Sequence, residues 1–155
     1  MTPSARVRTI DRDEATSLRR LLAADWTLDS AVLSQMSWKA IEIDDKALFD
    51  GDADRIGAAF RAVGAEHFYV VKVSELLPTS ALIRGYEFPS TSAGIEAFQG
   101  ADWFELNLDD CLLVTSPLRG VVLRPGTVTT TFIAGEKAFI DAASQPGRSA
   151  SAVYT

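Results

Sequence analysis

The sequence predicts an α+β fold: a mainly antiparallel β-sheet with helices packed on one face, ending in a C-terminal β-meander followed by a short helix. Three observations predict it. Along the chain the order runs helices, strand, helix, strands, helix, then a run of three or four strands and a last helix. The late strands are joined by turns too short for a crossover, so neighbours must be antiparallel. The helical segments carry apolar stripes at i, i+3, i+4 spacing, which must lie on an apolar surface such as a sheet face. At 155 residues the chain reads as one domain, residues 1–143, with residues 144–155, "SQPGRSASAVYT", as a flexible polar tail.

In the first helix, "DRDEATSLRRLLAADW", Asp11 stands three residues before Glu14, an aspartate form of the capping box, and Leu18, Leu21 and Leu22 make one stripe. A second short helix follows Asp29 with Val32, Leu33 and Met36 inward. "WKAIEID" alternates as a strand. Asp52 or Asp54 is expected to cap a helix whose Ile56, Ala59, Phe60 and Val63 share a face, and Gly64 suits its end. His67 to Val73 is short, β-branched and aromatic, an interior strand. "ALIRGYEF" reads as a strand, and "PSTSAGIEAFQG" as a helix capped near Thr91 or Ser92. Residues 103–109 alternate Phe104, Leu106, Leu108 against Glu105, Asn107, Asp109, the period of a half-buried strand. Asp109–Asp110 turn the chain into Cys111–Thr115. "SPLRG" is a turn, "VVLR" a strand, "PGT" a tight turn, "TVTTTFI" a strand and "GEKAFIDAA" the final helix. The aromatics mostly occupy apolar positions and read as core.

Charge bounds the function. Twenty-one acids face 15 bases, a formal net charge of −6. Beyond Arg6, Arg8, Arg12 and Arg19–Arg20 the bases are scattered singly, which disfavours nucleic acid and anionic membrane surfaces as partners. No apolar run reaches the roughly 18–20 residues of a membrane span. The N-terminal stretch has arginines but no apolar core, so no secretory signal is expected. One cysteine makes no internal disulfide and accords with a reducing, cytoplasmic setting. Eleven arginines against four lysines, with abundant alanine, point to a GC-rich bacterial genome, a matter of codons rather than function.

The stretch "GADWFELNLDDCLLV" is the foremost candidate site. As a strand it sets Glu105, Asn107 and Asp109 on one face, about 7 Å between alternate residues, with Trp103 beside them. Such a face suits a partner-binding surface, since exposed tryptophan is enriched at binding hot spots. The same spacing would serve a paired-carboxylate or cation site, while solvent-facing strands show the same alternation. "DGDADR" at 50–55 places acids as a calcium loop does, but Arg55 and Arg61 stand where the turn glycine and bidentate glutamate belong, so capping explains the acids better. Cys111 and His67 are each alone of their type, in runs that read as buried strand, and the neighbouring acids disfavour a thiolate. "STSAG" at 90–94 lacks the first glycine of a nucleophile elbow. Zinc ligands, phosphate loops and dinucleotide fingerprints are absent, so no catalytic set, metal or cofactor is expected.

The function expected from these readings is a small acidic protein-binding module for a basic partner, resembling immunity proteins by analogy of size and charge only. Two alternatives stand beside it. One is a small-ligand binder or carboxylate-based enzyme using Glu105 and Asp109, with Glu42 or Glu87 from neighbouring strands. The other is a homodimeric structural module built on Trp103.

Overall fold

The computed structural model describes residues 6–23, 27–43, 51–76, 83–99, 110–124 and 131–144. In chain order the elements are β1 (Arg6–Ile10), α1 (Arg12–Arg20), α2 (Ser30–Gln35), β2 (Lys39–Ile43), α3 (Gly51–Ala62), β3 (His67–Lys72), α4 (Val73–Leu76), β4 (Ile83–Pro89), α5 (Ser92–Gln99), β5 (Cys111–Val114), β6 (Gly120–Arg124), β7 (Thr131–Gly135) and α6 (Lys137–Ala143). The expected strand over 103–109, the turn at 125–127, the first half of "TVTTTFI" and the tail from 145 lie outside the described residues.

Local chemistry sets the helix ends. Asp11 is extended ahead of α1 and its Oδ1 accepts from the Glu14 backbone N–H at 2.8 Å. Asp29 caps α2, accepting from the N–H groups of Ala31 at 3.0 Å and Val32 at 3.3 Å. Thr91 caps α5 through Oγ1, which accepts from Gly94 N–H at 3.0 Å. Each cap satisfies a donor the helix leaves unpaired. Gly64, at φ 81°, closes α3 as expected, and Ala65 N–H returns to the Phe60 carbonyl at 3.0 Å. That left-handed position is where glycine costs least. Ser37 does the same work for α2 at φ 59°, with Trp38 N–H returning to Leu33. Because Asp29 satisfies two donors on a six-residue helix, Asp29→Ala should cost about 1 kcal/mol. A urea midpoint that does not move would show that α2 is held by Leu33 alone.

Two local expectations need correction. Asp52 and Asp54 do not precede α3; the helix already begins at Gly51, and Asp54 instead accepts from the Ser92 hydroxyl of α5. Met36 is not an inner residue of α2: the helix stops at Gln35, so Met36 is its cap and remains 37% exposed while Leu33 is buried.

The seven strands form one antiparallel sheet in the order β1-β4-β3-β5-β6-β7-β2. The α+β class, the C-terminal meander β5-β6-β7 and the short helix α6 after it are as the sequence predicts. β3 is interior, between β4 and β5. Neither β1 nor the single-turn α4 was anticipated; β1 is a short edge strand whose "RVRTI" alternation is half basic.

Helices lie on both faces of the sheet: α3, α5 and α6 cover one, and α1, α2 and α4 the other. On the first face Ile56, Ala59, Phe60 and Val63 of α3, Ile95 and Phe98 of α5, and Phe139 and Ile140 of α6 pack on Phe68, Val70, Phe88, Leu113 and Val122. On the second, Ala15, Leu18 and Leu21 near α1, Leu33 of α2 and Leu76 of α4 pack on Val71, Leu112, Val121 and Leu123. Every residue of β5 and β6 is buried, so these strands have no solvent side. Their unbroken apolar runs are the mark of a strand covered on both faces.

Candidate functional site

On the second face, the first turns of α1 approach the chain between β5 and β6. The bond Ser116–Pro117 there is cis. A pocket of about 210 Å³ opens between the two elements. Asp13, Glu14 and Ser17 form one wall, being neighbours at three- and four-residue spacing on one side of α1. Ser116 and Pro117 form another, and Ile10, Leu18, Val114 and Leu118 supply an apolar floor beside Tyr69. Among the described residues that line it there are two acids and no base.

The surroundings reinforce this charge. Asp11 caps α1, and Asp13 and Glu14 are the acids among the described residues of the wall. Thr115 also reaches the pocket, but its hydroxyl is committed: it donates to the Pro117 carbonyl at 2.7 Å and accepts from Arg119 N–H at 2.8 Å. The Arg119 side chain leads away, its Nη1 donating at 3.5 Å to the carbonyl of Val63, a residue of the opposite face. A mostly apolar concavity with a few convergent polar groups is the ordinary form of a binding site. Here those groups are anionic or hydroxylic, so the arrangement suits a cation carried on an apolar stem.

A second, more open groove of about 700 Å³ lies beside edge strand β2, with Leu28, Leu33, Ala40 and Phe132 among its lining. Among the described residues lining it, Glu42 is the one that carries a charge.

The residues singled out from the sequence do not form this pocket. Trp103, Glu105, Asn107 and Asp109 lie outside the described residues. The two acids named as their companions are far apart: Glu42 is exposed on β2 and Glu87 half-buried on β4, with four strands between them. At the usual strand spacing that is roughly 24 Å, so these two do not converge.

Nor do Cys111 and His67 meet. Cys111 pairs with Lys72, five residues along β3 from His67, or about 16 Å, and alternation puts the two side chains on opposite faces. His67 is not buried as its run suggested; its side chain is 48% exposed, with Nδ1 3.7 Å from Glu87 Oε1. Ser92 is engaged by Asp54 rather than by a histidine. Residues 51–62 are continuous helix, a conformation no calcium loop adopts.

One feature went unread in the sequence. Lys72, Cys111 and Arg124 occupy one row across β3, β5 and β6, so bases scattered in sequence are brought together. Arg124 is 1% exposed, donates from Nη2 to Cys111 Sγ at 3.7 Å and lies 5.0 Å from the Phe98 ring centroid. A cation therefore adjoins the thiol that the sequence placed only beside acids. Cys111 and Arg124 are buried, Arg124 against the Phe98 ring of α5, while Lys72 at the end of the row is half-buried.

Comparison with known proteins returns no matching family model, no matching curated protein and no matching solved structure.

Proposed function

We propose that this protein is a small binding module that recognises a positively charged group of its partner in the pocket between α1 and the Ser116–Pro117 turn. The observation that carries the reading is the pair Asp13 and Glu14 set over an apolar floor with no base in the described lining. The chain's net charge of −6 favours encounter with a cationic partner. At about 210 Å³ the pocket is smaller than the roughly 300–1,000 Å³ usual for drug-sized ligands. It suits a single basic side chain or a small organic cation. The basic protein partner expected from composition fits this reading, with the pocket as an anchoring point.

The test is a titration of isotope-labelled protein with butylguanidinium and butylammonium chlorides at constant ionic strength, followed by amide chemical shifts. Saturable changes are expected at residues 13–18 and 114–118, with a dissociation constant on the order of millimolar for so small a probe. Asp13→Asn combined with Glu14→Gln should weaken binding about fivefold or more, a change of about 1 kcal/mol, within reach of two partly exposed charges. Neither side chain provides the α1 cap, so the variant should stay folded. Shifts that never saturate and spread over all surface acids would overturn the assignment.

A further inference from the structure

We infer that edge strand β2 takes an additional strand: an extended segment of a basic protein, with a cation two residues before an apolar side chain. The surface shares no described residue with the α1 pocket, and the inference does not rest on that reading. Among the described residues β2 pairs only with β7, so its other side leaves backbone N–H and C=O groups open to a partner. Its one lysine, Lys39, is at the first position, and neither proline nor glycine interrupts it. Ala40 lies opposite Ala134 and Glu42 opposite Phe132, both part of the second-face packing. Directly opposed residues point to one face of a sheet, so Ala40 and Glu42 share that face. Ile41 and Ile43 pack in the first-face core, and by alternation Lys39 stands on their side.

The open groove of about 700 Å³ lies on this second face, where Leu28 and Phe132 are half-buried and small Ala40 is exposed. An apolar side chain opposite Ala40 covers Leu28 and Phe132, and a lysine or arginine opposite Glu42 meets the charge of the described lining. Every pairing of this sheet is antiparallel. In that sense the added segment reads cation, any residue, apolar residue, with backbone bonds giving affinity and alternate side chains giving specificity. A second copy fits the edge less well. Two-fold pairing centred on Ala40 leaves the groove empty, and centred on Ile41 it lays each Glu42 carboxylate over apolar surface. Centred on Glu42, it opposes two like charges. A net charge of −6 also favours a basic occupant over another copy of this chain.

The test is a titration of isotope-labelled protein with acetyl-Thr-Lys-Val-Leu-Thr-amide, which sets Lys opposite Glu42, Val opposite Ile41 and Leu opposite Ala40. Saturable amide shifts are expected over residues 39–43 and at Leu28 and Phe132, with a dissociation constant on the order of 0.1–1 mM. Replacing the peptide's Leu by Ala should weaken binding about fivefold. Replacing its Lys by Glu should weaken binding about threefold or more, and Glu42→Lys should reverse that preference. Glu42 is exposed on an edge strand, so the variant stays folded. N-methylation at Val and at Leu, tried separately, should abolish binding in one peptide and spare it in the other. Only alternate N–H groups of a strand face its neighbour. Shifts that are absent or never saturate, or N-methyl peptides that both bind like the parent, would overturn strand addition. A preference unchanged by Glu42→Lys would overturn the basic segment as occupant. A dimer in sedimentation equilibrium that the parent peptide dissociates would assign the edge to a second copy and overturn the inference as well.

Discussion

Phe60→Ala is expected to be the most damaging truncation in the core, lowering stability by about 3–5 kcal/mol. Phe60 is fully buried in α3, stacked on Phe68 with ring centroids 5.0 Å apart and edge-on to Phe139 at 5.3 Å. The contacts continue from Phe68 to Phe88 at 5.6 Å and from Phe88 to Phe98 at 6.1 Å. Five rings thus tie α3, β3, β4, α5 and α6 together, and Phe60 joins the α6 ring to the rest. Removing it leaves a void that the sheet backbone cannot close, so lost contacts add to lost burial. Against a total stability of roughly 5–15 kcal/mol, such a loss brings the protein close to unfolding. Urea unfolding should show a large fall in midpoint with little change in slope. A fall below about 1 kcal/mol would mean that α3 and α6 collapse onto the vacancy, and the ring chain would then not be the centre of this core.

The same residues show what was legible beforehand. The face of α3 followed from spacing alone, because one stripe of Ile56, Ala59, Phe60 and Val63 has no other place to go. Asp11, Asp29 and Gly64 announced their helix ends because capping is decided within a few residues. β2 was legible as a strand from "WKAIEID", yet nothing local says that it pairs with β7, about ninety positions later, at the far edge of the sheet. Coverage of the second face was equally hidden. It was implied by the apolar runs at the heart of β5 and β6, but so short an apolar run reads alike in a strand covered once or twice.

The candidate pocket was illegible for a related reason. Glu14 read as half of a capping box with Asp11, Tyr69 as core, and "SPLRG" as a turn, and each description is locally sound. Their convergence depends on α1 lying over the second face and on β3 pairing with β5, a matter of contacts between residues far apart in sequence. The row Lys72–Cys111–Arg124 has the same origin, since only strand register makes neighbours of those three. Charge clusters in sequence drew the eye to residues 102–110, whereas the structure gathers charge by topology.

Gly94→Ala should rival Phe60→Ala, at about 3 kcal/mol or more, though it adds only a methyl group. A β-carbon at Gly94 would fall on the Pro89 carbonyl oxygen and stand 2.9 Å from the Pro89 carbonyl carbon. Both are backbone, so no rotamer change relieves the clash; either α5 or the end of β4 must move. That corner is fastened on several sides. Ser90 N–H donates to the Glu66 carbonyl at 2.8 Å, and Arg61 Nη1 donates to the Ser90 carbonyl at 2.5 Å. Ser92 donates to Asp54, and Thr91 caps α5 through the N–H of Gly94 itself. Moving α5 outward also draws Ile95 and Phe98 from the first-face core. Gly64→Ala is the matched comparison, because a β-carbon there meets nothing within 4 Å and only the left-handed backbone is penalised. That penalty is about 1–2 kcal/mol, so the two variants should rank Gly94 above Gly64 in thermal and urea unfolding. The reverse order would mean that the β4–α5 corner yields easily. Its hydrogen bonds would then follow the position of α5 instead of fixing it.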